Sequence, residues 1–198
     1  MDRVSPPVPL GARLLRRARR FGRAEGGSAL LEFAFVAPAL IALILAVLEL
    51  ALVFFAQQAL ETGVEAAART LVTGSAQAAD ISGAAAGMSK AQLQERFRQQ
   101  ACAALPSFLS CANLMVDVQS ASSFSQISTG APTISYDANG AVTNNWSYDT
   151  GGAGSIVMLR LMYIWPVPLG PLGLNFSNAG DGKRLLIATS VAKSEAYS

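Results

Sequence analysis

The sequence has no histidine. That removes the commonest general base and the commonest metal ligand together. Two cysteines, Cys102 and Cys111, are all the thiol there is, too few for a thiolate metal centre. No metal site and no cofactor is expected. Charge is also scarce, at 14% of residues against 52% apolar, a balance that points to a membrane segment. Basic residues are almost absent from the middle of the chain. Residues 1–27 hold seven arginines against Asp2 and Glu25, a balance of +5. Residues 28–198 hold eight basic and eleven acidic side chains, a balance of −3. A nucleic-acid partner needs a basic face on a folded domain. Here the arginines abut an apolar run, which excludes that partner and suits orientation in a membrane.

Four prolines and glycines (Pro6, Pro7, Pro9, Gly11) mark residues 1–12 as disordered. RLLRRARRFGR, residues 13–23, follows as a basic stretch. From Ser28 to Phe55 the charged residues are Glu32 and Glu49 alone. A spanning helix needs about 20 residues, and Phe33–Leu52 supplies them, with Pro38 inside the run. Arginines precede the span and none follows until Arg69, so the N-terminus is expected in the cytoplasm and the residues beyond about 55 outside it. A cleaved secretory signal has a shorter apolar core. The run also continues as an amphipathic pattern, with Leu60, Val64, Ala67, Ala68 and Leu71 at helical spacing. The expectation is one helix over 28–73, stopped at Gly74.

Residues 74–88 are small and polar and read as a loop. Ser89 then opens a second helix with Gln92 completing a capping box; Leu93, Phe97, Ala101 and Ala104 share one face, and Pro106 ends it. Beyond Cys111 the pattern turns to strands. Leu114, Val116 and Val118 point inward against Met115, Asp117 and Gln119. Residues 120–130 are a serine-rich loop. Asn139-Gly140 predicts a hairpin between 134–137 and 141–148. Ile156–Trp165 is the strongest strand, and Leu185–Ala192 is the last. The fold class is therefore α+β: a long N-terminal transmembrane helix continuing into an outer domain with a second helix and a small antiparallel sheet. If that domain lies outside the cytoplasm, Cys102 and Cys111 can pair; in a cytosolic domain they stay as two free thiols.

The junction GGSALLEF carries the functional signal. A basic stretch leads to Gly27, four residues follow, then Glu32, then an apolar helix. A cut after Gly27 makes Ser28 the first residue of the product and Glu32 the fifth. In this the sequence resembles type IV prepilins, and more closely the Flp/Tad branch, in which the glutamate is followed by an aromatic residue, usually tyrosine. Phe33 keeps the ring and loses the hydroxyl. The segment GGSALLEFAFVAPALIALILAVLELALVF is similar to the TadE-like family of pseudopilins. The tail SVAKSEAY, residues 190–197, is similar to that family's C-terminus in Lys193, Glu195 and Tyr197, with Ala196 where proline is usual.

The resemblance implies a pilin-like extracytoplasmic domain over 74–198, a 28–73 helix with its span at about 33–52, and a 1–27 leader removed by a prepilin peptidase. It implies a minor pilin or pseudopilin in the inner membrane, N-terminus inside, that enters a pilus or primes it. The partners implied are the peptidase, other pilins or pseudopilins, the Tad inner-membrane assembly platform and the membrane. Adhesion, surface colonisation or secretion follow as functions. In pilins, glutamate at product position five pairs with the N-terminal amine of a neighbour. A carboxylate in low dielectric is costly alone and tolerable when paired, so Glu32 is the assembly residue implied. Gly26 is the rival cut site, which puts Glu32 at position six. Glu49 reads as an interface residue, and Ala34, Ala37, Ala39, Ala42 and Ala46 equally as small positions suited to close helix contact or as a plain bias of composition. Trp146, Tyr163 and Trp165 read as core, and the GGAG loop at 151–154 is no phosphate loop. Two rival functions stand beside the pilin. One is a single-pass anchor carrying a small binding domain outside any pilus. The other is an enzyme with an unrecognised Ser or Asp site, which needs a clustered nucleophile and base that the sequence does not display.

Overall fold

The computed structural model describes residues 28–167, 173–179 and 182–195. Helix α1 runs Ser28–Val72, 45 residues with Pro38 inside. The chain divides into two compact units, Met1–Leu45 and Ala46–Ser198. In the first unit the described residues are the opening turns of α1. Their apolar side chains point outward, with Leu30, Phe33, Phe35, Val36, Leu40, Ile41 and Leu43 all exposed.

The second unit has its own core. In α1 the residues Val53, Ala56, Leu60, Val64, Ala67, Ala68 and Leu71 recur every three or four positions and are all buried. Such a stripe must meet an apolar partner. The partner is one face of a three-stranded antiparallel sheet in the order β1-β2-β3, formed by β1 (Leu114–Ala121), β2 (Ile156–Pro166) and β3 (Lys183–Lys193). Register fixes which side chains share that face. Leu114 pairs with Tyr163 and Tyr163 with Leu186; Val116 pairs with Leu161 and Leu161 with Ala188. Each of these is buried in the same cluster. Helix α3 (Lys90–Ala103) adds Phe97, Ala101 and Cys102. The capping box at its start is present: Ser89 Oγ accepts from the Gln92 amide, and Gln92 Oε1 accepts from the Ser89 amide at 2.8 Å.

Several expectations need correction. Residues 74–88 are not a loop, for Ser75–Ala85 forms helix α2. Gly74, at φ 79°, breaks the chain away from α1, and the six alanines from Ala76 to Ala86 then favour helix. Gly83 lies close against α3, where a Cβ would stand 2.6 Å from Leu93 Cδ2 and that side chain would have to move. The hairpin at 134–148 forms its turn but no strands: the pairing is one isolated bridge, Tyr136 to Val142. Side chains take the place of a ladder. Asp137 Oδ1 accepts from the Asn139 and Ala141 amides, and Asn144 clips the Ser135 amide and the Thr133 carbonyl. Ala104 is exposed as the C-cap of α3.

The largest departure is Asp117. Alternation in β1 puts it on the far face of the sheet, as expected, but that face is covered. Met158 and Met162 have no exposure there, and Asp117 and Arg160 keep 2% and 4%. The two are cross-strand partners joined at 3.3 Å. The Ser147 amide donates to Asp117 Oδ1 at 3.1 Å, and Arg160 Nη2 donates to the Ser128 carbonyl at 2.8 Å. A buried ion pair therefore ties the irregular segment 122–149 down over the sheet.

Candidate functional site

Gly27 lies outside the described residues. Among the described residues α1 is helical already at Ser28, the first residue after the expected cut. Glu32 stands one turn on and is exposed, and Phe33 is 72% exposed. Four residues of helix rise about 6 Å and bring i and i+4 to one face. The backbone amine that a cut would create and the Glu32 carboxylate thus belong to the same side of α1. Nothing polar follows Glu32 until Glu49. Glu49 is half-buried, and its Oε1 is screened from solvent without a hydrogen-bond partner among the described residues. It sits between Ala46 and Val53, both buried, at helical spacing. Of the small positions, Ala42 and Ala46 are buried, Ala37 is half-buried, and Ala34 and Ala39 are exposed.

In the second unit Cys102 and Cys111 are bonded, with their Cα atoms 5.6 Å apart. The bridge closes a short loop after α3 and contributes about 2–3 kcal/mol by the loop-closure argument. Tyr163 Oη accepts from the Ser110 amide at 3.2 Å, and Arg98 Nη1 donates to the Cys111 carbonyl. Both bonds hold the Cys111 end of the loop. Tyr163 is core, as expected; Trp146 and Trp165 are half-buried.

Sequence reasoning missed a polar cluster on α2. The Asp80 carboxylate accepts from Tyr148 Oη at 3.0 Å, Thr150 Oγ1 at 3.2 Å and Arg96 Nη2 at 3.0 Å. It joins α2, α3 and the segment before β2. Reading 74–88 as a loop hid it; a lone carboxylate amid alanines was the available signal. Burial first, and then the Asp80 charge, push the Tyr148 phenol above its ordinary value of 10.0. The folded chain thus holds this proton more tightly than the unfolded chain. Its contribution is full below pH 10 and is lost as the pH climbs beyond it. Tyr148→Phe is expected to cost about 1 kcal/mol at neutral pH and to flatten the alkaline loss of stability. Urea unfolding of both chains at neutral pH and above pH 10 checks this; equal alkaline slopes contradict it.

Among the described residues no cluster of three or more His, Cys, Asp or Glu could hold a metal ion. A cleft of about 670 Å³ opens beside the hairpin, lined chiefly by Met115, Tyr136, Val142, Trp146, Ile164 and Lys183. Its lining holds no serine, threonine, cysteine or carboxylate, and its titratable side chains are Tyr136 and Lys183.

A family model described as TadE-like protein matches residues 27–69. No curated protein and no solved structure matches the chain. The match begins at the glycine of the junction and covers nearly all of α1. It suggests a protein associated with Tad pili, with pilin partners and a place at a membrane. α1 is long and apolar enough to cross one and fits a single-pass anchor.

Proposed function

We propose, from the TadE-like match over residues 27–69, that the chain is a minor pilin or pseudopilin of a Tad/Flp pilus. The observation that carries this reading is the match itself, which opens at Gly27 and runs along the apolar helix α1 to residue 69. In this reading the arginine leader stays in the cytoplasm and α1 spans the inner membrane over about 33–52. The domain that follows lies outside, in a compartment where Cys102 and Cys111 oxidise. A prepilin peptidase cuts after Gly27. The cut removes seven positive charges and creates an amine at Ser28.

That amine is the counter-charge a carboxylate at the membrane edge requires. Glu32 then pairs with the amine of a neighbouring pilin, and the exposed apolar face of α1 exchanges lipid for the helices of other subunits. The chain works through assembly with those pilins and the inner-membrane platform, in building or initiating the fibre. Adhesion, surface colonisation or secretion are consequences of the fibre. The reading assigns the chain no chemistry of its own.

The cleft beside Trp146 and Lys183 favours a second reading, a single-pass anchored binding domain outside any pilus. N-terminal sequencing of the protein recovered from membranes separates the two. The pilin is expected to begin at Ser28, and an intact arginine leader overturns it.

A further inference from the structure

The disulfide loop displays a phenylalanine where a soluble domain has reason to hide it. Phe108 lies between the bridged cysteines, and it is 42% exposed. The loop is stapled by Cys102–Cys111, turned by the Leu109 amide on the Pro106 carbonyl, and pinned by Tyr163 Oη on the Ser110 amide. These fix the backbone that carries Phe108.

It does not stand alone. Its ring stacks on Phe55 at 5.3 Å, and Trp165 meets it edge-on at 6.3 Å. Phe54 and Phe55 are themselves 66% and 61% exposed. Register places Arg184 beside Trp165 on the same face of the sheet.

Position along α1 says what covers this patch. Phe55 lies three residues beyond Leu52, the end of the apolar span, which is about 4.5 Å of helix rise. The headgroup layer occupies roughly 5–7 Å on each side of the hydrocarbon core. The first charged residue beyond is Glu61, a further six positions on. Trp165 is the amphipathic ring of the patch, and with the Arg184 cation beside it has the composition that settles at that depth; the three phenylalanines supply the apolar contact next to it.

We propose that Phe54, Phe55, Phe108 and Trp165 form an aromatic collar that seats the outer domain in the headgroup layer of the membrane α1 spans. The proposal rests on the spanning reading of α1 above and adds a second lipid contact, from a part of the chain more than fifty residues away. The disulfide loop is then a membrane-docking element. It keeps the domain in contact with the bilayer before any fibre forms.

The test uses the full chain in vesicles of phosphatidylethanolamine and phosphatidylglycerol, with acyl chains brominated near either the glycerol or the methyl end. Trp146→Phe leaves Trp165 as the sole emitter, and Trp165→Phe leaves Trp146; Trp146→Tyr is the alternative background if the phenylalanine does not fold. A reporter within the span, Leu43→Trp in a chain lacking both native tryptophans, tests the span by itself. Trp165 is expected to lose several-fold more emission than Trp146 to shallow bromines, while the position-43 reporter responds to deep ones. A quenched position-43 reporter with Trp165 no more quenched than Trp146 overturns the collar and leaves the span standing. An unquenched position-43 reporter overturns the span, and the collar with it. Emission from Trp165 that ignores bromine but follows protein concentration places a second copy on the patch and also overturns the collar.

Discussion

Asp117→Ala is expected to cost about 3–5 kcal/mol of folding stability, the usual cost of removing one partner from a buried ion pair. Asp117 accepts from Arg160 Nη1, from Gln119 Nε2 at 2.9 Å and from the Ser147 amide. The alanine leaves the guanidinium of Arg160, 4% exposed, with the Ser128 carbonyl and no counter-charge. Arg160 Nε is already buried without a partner among the described residues, so the loss falls on a group with little in reserve. The paired replacement Asp117→Leu with Arg160→Met behaves differently. It removes both charges and is expected to stay within about 1 kcal/mol of the parent. Chemical unfolding of the three chains in detergent measures the contrast. A single variant as stable as the double one contradicts the role given to the pair.

Replacing Gly27 with isoleucine is expected to abolish release of the chain that begins at Ser28. A peptidase working at the membrane surface must bring its catalytic groups close to the backbone, and a glycine presents no Cβ in the way. A β-branched side chain is the largest change of shape at the backbone itself. Intact-mass measurement of the chain from membranes reads the outcome directly, because the uncut form keeps the seven arginines. Gly26→Ile is the matched control and is expected to be cut. The reverse pattern moves the cut one residue upstream and puts Glu32 sixth in the product. Gly27→Ile is also expected to keep the chain out of filaments, for without the cut no amine forms beside Glu32.

Long-period features were legible and short-range polar ones were not. The buried stripe of α1 from Leu60 to Leu71 follows from spacing alone, and Ser89 with Gln92 announced its cap. The strands at 114, 156 and 185 were marked by runs of branched and aromatic residues, which few other structures accommodate. The junction motif is a matter of positions relative to Gly27, which lies outside the described residues. What escaped was decided by distant partners. Asp117 sits in an apolar strand, and Arg160 interrupts another, IVMLRLMYIW; the two lone charges are opposite each other in register. Each alone reads as an outward-facing residue. Together they reveal that the outer face is roofed. The hairpin failed for a related reason: Asn144 and Asp137 satisfy the backbone locally, and a side-chain clip reads the same as a strand when only turn residues are scored.

The sheet has an order in time as well as in space. β2 is its centre, yet one neighbour, β3, comes from residues 183–193. Just after it, the Glu195 amide donates to the Val72 carbonyl at 2.8 Å, closing the end of α1. Contacts of this separation form late, after the whole intervening chain is available. In the orientation proposed above, with the chain threaded outward from its N-terminal helix, the domain after α1 waits for residues 183–195 to emerge. A chain stalled before that point leaves β2 with an open edge, a state that proteases and aggregation act on.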